Sequence, residues 1–225
     1  MSLDTTIREN LDGKYLIIHA NYFNEGIEYA CKIQIAQIQL RGVLGNKSED
    51  ICIDFRQLEK LSAHLRIISF AGSIGKVCNF ESIYSLNNIE KIYIQQKQKF
   101  TIDVSKFPKI LHLGSEYWKG LINIEKTISL TSLVLFKLTD TSLQRISNLK
   151  KLTILHIYSS KIETLDGIET LPIEVLSLAR DNYLKDIQAI EKLEKLKEVN
   201  IEKCKNIIYS SLLLENADKI NLNIS

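Results

Sequence analysis

The apolar positions of this chain keep neither a helical nor a strand period over any long run. Residues 149–171, LKKLTILHIYSSKIETLDGIETL, show the pattern most clearly, with Leu149, Leu152, Leu155, Ile157, Ile162, Leu165, Ile168 and Leu171 as its apolar positions. Leu155-His156-Ile157 alternates as a short half-buried strand, and a turn and an apolar return segment follow it. The same template, LxxLxLxx(N)x(I/L), recurs from Leu65 onward. Its copies are Leu65/Ile68/Phe70, Ile89/Ile92/Ile94, Pro108/Leu111/Leu113, Leu130/Leu133/Leu135, Leu152/Leu155/Ile157, Ile173/Leu176/Leu178, Leu196/Val199/Ile201 and Ala217/Ile220/Leu222. The second landmark falls at 68, 92, 111, 133, 155, 176, 199 and 220, in steps of 24, 19, 22, 22, 21, 23 and 21 residues. One strand with its return segment cannot enclose its own apolar side chains, whereas stacked copies can. The spacing therefore predicts strands paired in parallel, with the landmarks inward and the residues between them facing out.

Upstream of the copies, residues 14–22 (KYLIIHANY) are β-branched and aromatic, and residues 27–40 (IEYACKIQIAQIQL) alternate. The pair predicts a β-hairpin turning at residues 23–26. The slip in alternation between Ile33/Ile35 and Ile38/Leu40 predicts a bulge near Ala36-Gln37. Residues 42–50 read as a polar loop, residues 51–55 as a degenerate opening strand, and residues 57–65 as a short helix with Leu58, Leu61 and Leu65 inward. The expected division is a cap over residues 1–50 and a repeat domain over residues 51–225.

The copies resemble leucine-rich repeats, specifically the class of about 22 residues seen in a phosphatase-one regulatory subunit and in bacterial internalins. The resemblance implies an α/β solenoid with a parallel β-sheet on its concave face, preceded here by the N-terminal β-hairpin cap. It is specific for fold and unspecific for function. One departure stands out. The position that normally holds Asn, tying successive turns together, reads Ser73, Lys97, Glu116, Leu138, Ser160, Asp181, Cys204 and Ser225. The asparagine ladder is expected to be absent or replaced piecemeal.

Charge and chemistry narrow the function classes. The 29 basic and 27 acidic residues leave a net charge of +2, which gives no argument for nucleic acid or an anionic membrane surface. Lys137, Arg180, Lys203 and Lys219 are interleaved with Glu198 and Glu202 rather than forming a phosphate-tracking stripe. No segment approaches the roughly 18 apolar residues of a membrane span. The start of the chain is not a signal peptide, so the expected location is cytoplasmic, with secretion as the alternative if the native N-terminus has been removed. The frequent Ile, Lys and Asn fit an AT-rich bacterial genome. Cys31, Cys52, Cys78 and Cys204 lack CxxC spacing and read as small buried hydrophobes in a reducing compartment. No GxSxG or HExxH motif is present, and Gly72-Ser73-Ile74-Gly75 lacks phosphate-loop spacing. No enzyme activity, cofactor or metal is expected. His112 and His156 fall at equivalent places two repeats apart, about 9.6 Å by strand spacing, with no third ligand in view.

What remains is the outward face. Tyr93, His112, Phe136, His156 and Tyr158 lie at its centre, with Arg180 and Glu202 at the rim. Tyr and Phe supply contact area at low entropic cost, as protein-binding hot spots do. Trp118 reads as packing. The expected function is a non-enzymatic module that binds a protein partner on the concave face, as an inhibitor, an immunity-type antagonist or an adaptor. Two alternatives are weighed against it. One is a homodimeric scaffold joined through the C-terminal edge strand, since ADKINLNIS closes in a strand pattern. The other is an enzyme site near His19 and Cys31.

Overall fold

The computed structural model describes residues 6–43, 52–208 and 221–225. Its strands are β1 (Ile7–Asn10), β2 (Gly13–His19), β3 (Gln37–Arg41), β4 (Cys52–Asp54), β5 (Ile67–Ala71), β6 (Lys76–Cys78), β7 (Lys91–Ile94), β8 (Ile102–Asp103), β9 (His112–Glu116), β10 (Leu121–Ile122), β11 (Ser132–Phe136), β12 (Ile154–Tyr158), β13 (Val175–Ala179), β14 (Glu198–Glu202) and β15 (Asn221–Ile224). One α-helix among the described residues, α1, spans Phe23–Lys32, and short 3-10 turns carry most of the other connections. Two compact units are formed. The first comprises Met1–Ile110 and Lys119–Ile122, the second Leu111–Trp118 and Asn123–Ser225.

In the first unit the sheet runs β1-β2-β3-β5-β7. An N-terminal hairpin is present, made by β1 and β2 about Leu11-Asp12, with Ile7 opposite Leu16. The hairpin expected between residues 14–22 and 27–40 does not form. The segment after β2 is α1, and β2 and β3 pair in parallel, Leu16 opposite Ile38 and Ile18 opposite Leu40. A parallel pair needs a crossover, and α1 provides it. Phe23, Gly26, Ile27 and Ala30 are buried on one helix face, and that spacing outweighs the local alternation of Ile27, Tyr29 and Cys31. Gly26 lets the helix sit directly on the sheet, because a Cβ there would lie 2.6 Å from Ile18 Cγ2. Gln37 is the first residue of β3, and the pair β3–β5 runs without a bulge there. The slip in alternation falls in the connection after α1, where Gln34 takes a φ of 51°.

Residues 52–54 are a strand as expected, but not the opening strand of the repeat sheet. β4 pairs with β6 on the return side of the repeats, and it is β3 that pairs with β5. Cys52 and Cys78 form a disulfide across this small sheet, with Cα atoms 5.9 Å apart, so the reading of these two as unpaired buried thiols is corrected. Cys31 and Cys204 are free. The short helix after β4 is a 3-10 helix, Phe55–Leu61. Its first turn is capped by Asp54, whose carboxylate accepts from Arg56 N at 3.1 Å. Leu58, Leu61 and Leu65 are fully buried. Aromatic rings fill the space behind the sheet: Phe80 stacks on Phe100 at 4.6 Å, and Phe100 meets Phe70 edge-on at 5.6 Å.

In the second unit β9, β11, β12, β13, β14 and β15 pair in parallel throughout. Leu113, Leu133, Leu155, Leu176, Val199 and Leu222 form one inward row; Ser115, Leu135, Ile157, Leu178, Ile201 and Ile224 form the next. Two copies are therefore re-registered. The third is Leu113/Ser115 rather than Leu111/Leu113, and Leu111 is 43% exposed. The alternation of Leu111, His112 and Leu113 misled. The better guide is Ile110, fully buried, which stands three residues before Leu113 as Leu130 stands before Leu133. The last copy is Leu222/Ile224, and the expected Ala217 and Ile220 lie outside the described residues.

Strands β11, β12, β13 and β14 end in the same way. Lys137, Ser159, Arg180 and Lys203 take left-handed φ values of 57°, 52°, 59° and 55°. Their amides donate to Tyr158 O, Ala179 O, Glu202 O and Ser225 O on the neighbouring turn, at 2.9, 2.8, 2.8 and 2.6 Å. These inter-turn bonds offset the roughly 1–2 kcal/mol that left-handed backbone costs a non-glycine residue. The ladder position follows immediately. It is replaced piecemeal: Asp181 Oδ1 accepts from both Ser160 N and Ser160 Oγ at 2.6 Å, and Cys204 is buried one turn further on. In the first unit the exposed Lys97 does not serve. Gln98 does, donating to Gly72 O and Gln96 O at 2.8 Å and accepting from Ile74 N at 3.3 Å. On the return side of the second unit, single bridges link Thr164 to Asp186 and Asp186 to Ile208.

Candidate functional site

The open face of the second unit's sheet is set by register. Side chains alternate across a strand, so the residues between the inward rows point away from the core. Three outward rows result. The first holds His112, Ser132, Ile154, Val175, Glu198 and Asn221. The second holds Gly114, Val134, His156, Ser177, Asn200 and Asn223. The third holds Glu116, Phe136, Tyr158, Ala179 and Glu202.

Three of the residues singled out in the sequence touch. Phe136 and Tyr158 are directly opposite across β11 and β12, with ring centroids 5.1 Å apart. His156 meets Tyr158 at 5.9 Å, edge to face, with its Nδ1 3.0 Å from Tyr158 Oη. Phe136 is 43% exposed. Burial pushes the His156 imidazole below its ordinary pKa, and the charge of Glu198 acts in the other direction. Burial raises Tyr158, opposed by a hydrogen bond with Ser177. The order that satisfies these groups has Ser177 donating to Tyr158 Oη and Tyr158 donating to His156 Nδ1. His156 Nε2 is enclosed and has no hydrogen-bond partner.

The other expected residues fall elsewhere. His112 sits one row from His156, opposite Ser132, whose Oγ lies 2.8 Å from His112 Nδ1. The two histidines are thus not at equivalent places, and the spacing that suggested a shared ligand position no longer holds. Among the described residues no group of three His, Cys, Asp or Glu side chains is arranged to hold a metal ion. Arg180 and Glu202 lie at the strand ends, both exposed. Glu202 pairs with Lys203 at 2.6 Å, and Lys203 and Arg180 hold its carboxyl below the usual range. Tyr93 belongs to the first unit. Its hydroxyl donates to Asp12 Oδ2 at 3.0 Å, and Lys91 pairs with the same carboxylate. Burial and the Asp12 charge push the Tyr93 phenol far up. It is engaged by the turn of its own N-terminal hairpin.

Sequence reasoning left Glu198, Ile154, Val175 and Ser177 out of the expected contact set. The signal was available: each stands at an outward place of a strand whose inward residues were correctly read. Glu198 accepts from Asn200 Nδ2 at 2.5 Å, and Asn200 Oδ1 accepts in turn from Asn223 Nδ2 at 2.9 Å. His19 and Cys31 have separate partners, Gly42 O at 3.3 Å and Lys60 O at 3.8 Å. A hollow of about 430 Å³ on the segments leading into β12, β13 and β14 is lined by residues including Lys150, Leu171, Lys192 and Lys195. No helix among the described residues is long and apolar enough to cross a membrane.

With this geometry in hand, comparison with solved structures gives the class of fold. The chain is similar to an internalin, inlF, from Listeria monocytogenes, with a TM-score of 0.55 and 16% sequence identity over 84% of this chain. It spans 56% of the length of that internalin. Internalin C2 from the same organism is matched at a TM-score of 0.49 and 20% identity, over 74% of this chain and 83% of that one. Comparison with protein-family profiles finds no match, and comparison with curated proteins finds none. The likeness to inlF is one of fold, and the protein has a leucine-rich repeat fold.

Proposed function

We propose that the chain is a non-enzymatic interaction module that binds a protein partner on the open sheet face of its second unit. The observation that carries this reading is the Phe136–Tyr158 pair, in ring contact and outward on adjacent strands. Aromatic anchors on a rigid surface bind at low entropic cost, and hot spots cluster around them. Inhibitor, immunity-type antagonist and adaptor are the roles such a module would fill. The repeats belong to the class of about 22 residues, in keeping with steps of 20, 22, 21, 23 and 23 between the paired inward landmarks from Leu113 to Leu222. The Cys52–Cys78 bridge favours an oxidising compartment over the cytoplasm.

The test is a Phe136→Ala/Tyr158→Ala double variant. It should melt as a cooperative fold and fail to retain the partner that the parent chain retains from extracts of the source organism. Retention of that partner by the variant would sink the assignment to this face. A second reading rests on β15, which ends the strand order among the described residues and carries Ile224 at 46% exposure. Under it, two copies pair edge to edge. Light scattering decides: a dimer that disappears when residues 217–225 are removed favours the scaffold.

A further inference from the structure

The charges on the open face are distributed with one sign. Among the described residues of β9 and β11 to β15, the charged side chains at outward positions are Glu116, Glu198 and Glu202, all acidic. The cations nearby, Lys137, Arg180 and Lys203, stand on the left-handed turns after the strands. Two of the carboxylates are already paired with these turns, Glu116 with Lys137 at 3.3 Å and Glu202 with Lys203 at 2.6 Å. Glu198 differs. Its carboxylate takes an amide from Asn200, and among the described residues it has no ion-pairing cation. It is half-buried and lies beside Val175, which in turn lies beside Ile154.

A carboxylate flanking an apolar strip is a specific recognition element. A cation brought there loses part of its water and gains a partner in a low-dielectric setting, whereas an anion meets repulsion. His156, the one titratable group of the aromatic cluster able to carry positive charge, has its pKa lowered by burial, which works against its serving as an internal counter-ion. Phosphate-rich ligands are disfavoured by the same acidic face.

We propose that the occupant of this face is a protein segment that sets an apolar or aromatic side chain on Phe136, His156 and Tyr158 and a lysine or arginine against Glu198. This rests on the interaction reading above and adds the chemistry of the partner. Complementary charge fixes the register of the bound segment, while the aromatic contact supplies most of the affinity.

The experiment selects phage-displayed random peptides on the full chain, with counter-selection on the Phe136→Ala/Tyr158→Ala variant. The expected binders share a Lys or Arg close to an apolar anchor, and they bind Glu198→Gln about tenfold or more weakly than the parent chain. Gln keeps an oxygen that can accept the hydrogen bond from Asn200 Nδ2, so an unchanged melting curve for Glu198→Gln separates recognition from folding. Binders that need Phe136 and Tyr158 but are acidic, or indifferent to Glu198→Gln, overturn this inference and leave the interaction reading standing. Binders indifferent to the aromatic variant overturn the interaction reading itself.

Discussion

Tyr158 places its hydroxyl 3.0 Å from Nδ1 of His156, two residues earlier on the same strand. Residues two apart on a strand share a face, and the ring of Phe136 closes the cluster from the neighbouring strand. Removing the hydroxyl and removing a ring should therefore have different consequences. Tyr158→Phe should cost about 1 kcal/mol of stability and leave partner affinity nearly intact. Phe136→Ala should leave folding nearly intact and weaken the partner by about 2 kcal/mol, roughly 30-fold. Denaturant titration and calorimetry of each variant separate the two effects.

The depressed His156 pKa carries a pH dependence. The folded state binds this proton less readily than the unfolded chain, so stability is fully present above the ordinary His value of about 6.5 and is lost as pH falls below it. The wild-type melting temperature should fall further than that of His156→Gln between pH 7 and pH 5. Parallel curves would contradict the assignment of a half-buried imidazole with a depressed pKa.

Asp181 has the opposite sign. Burial raises its carboxyl above the usual range, opposed by hydrogen bonds from Ser160 and the backbone, and its Oδ2 is enclosed without a partner. A raised carboxyl contributes most below its unfolded value of about 3.9 and loses that contribution as pH rises. Asp181→Asn should thus stabilise the protein by about 1 kcal/mol at neutral pH, with the advantage closing toward pH 4. Urea midpoints of both proteins across that range check it.

Cys52 and Cys78 are 26 residues apart in sequence. Closing a loop of that size stabilises a fold by about 2–4 kcal/mol. Reduction, or Cys52→Ser/Cys78→Ser, should lower the unfolding free energy by that amount. Cys31→Ser should change little, since the thiol makes only a long contact to Lys60 O at 3.8 Å. Melting with and without a thiol reductant measures both.

The repeat architecture was legible in the sequence because it is written in leucines that must be inward. Leu133, Leu155, Leu176 and Val199 were placed correctly, and with them the outward side of Phe136, His156 and Tyr158. The misreadings have local causes. At β9, Leu111 and Leu113 offered an equally good alternation, and only the apolar residue three places earlier distinguishes them. At α1, a helix whose buried face is Phe23, Gly26, Ile27 and Ala30 also satisfies a strand period over a few residues. Gln98 took the place expected of Lys97 because ladder geometry depends on turn length, which alternation does not report. The covering of Tyr93 by Asp12 joins residues 81 apart in sequence, and no local pattern encodes it.

The most direct test of the central claim is site-specific photo-cross-linking. A photoreactive phenylalanine analogue is placed at position 136 on the open face or at position 183, an exposed tyrosine after β13. The account predicts that position 136 yields a discrete protein adduct in cells of the source organism, competed away by the unmodified chain, and that position 183 yields none. A competed adduct at position 183 with none at position 136 would contradict it.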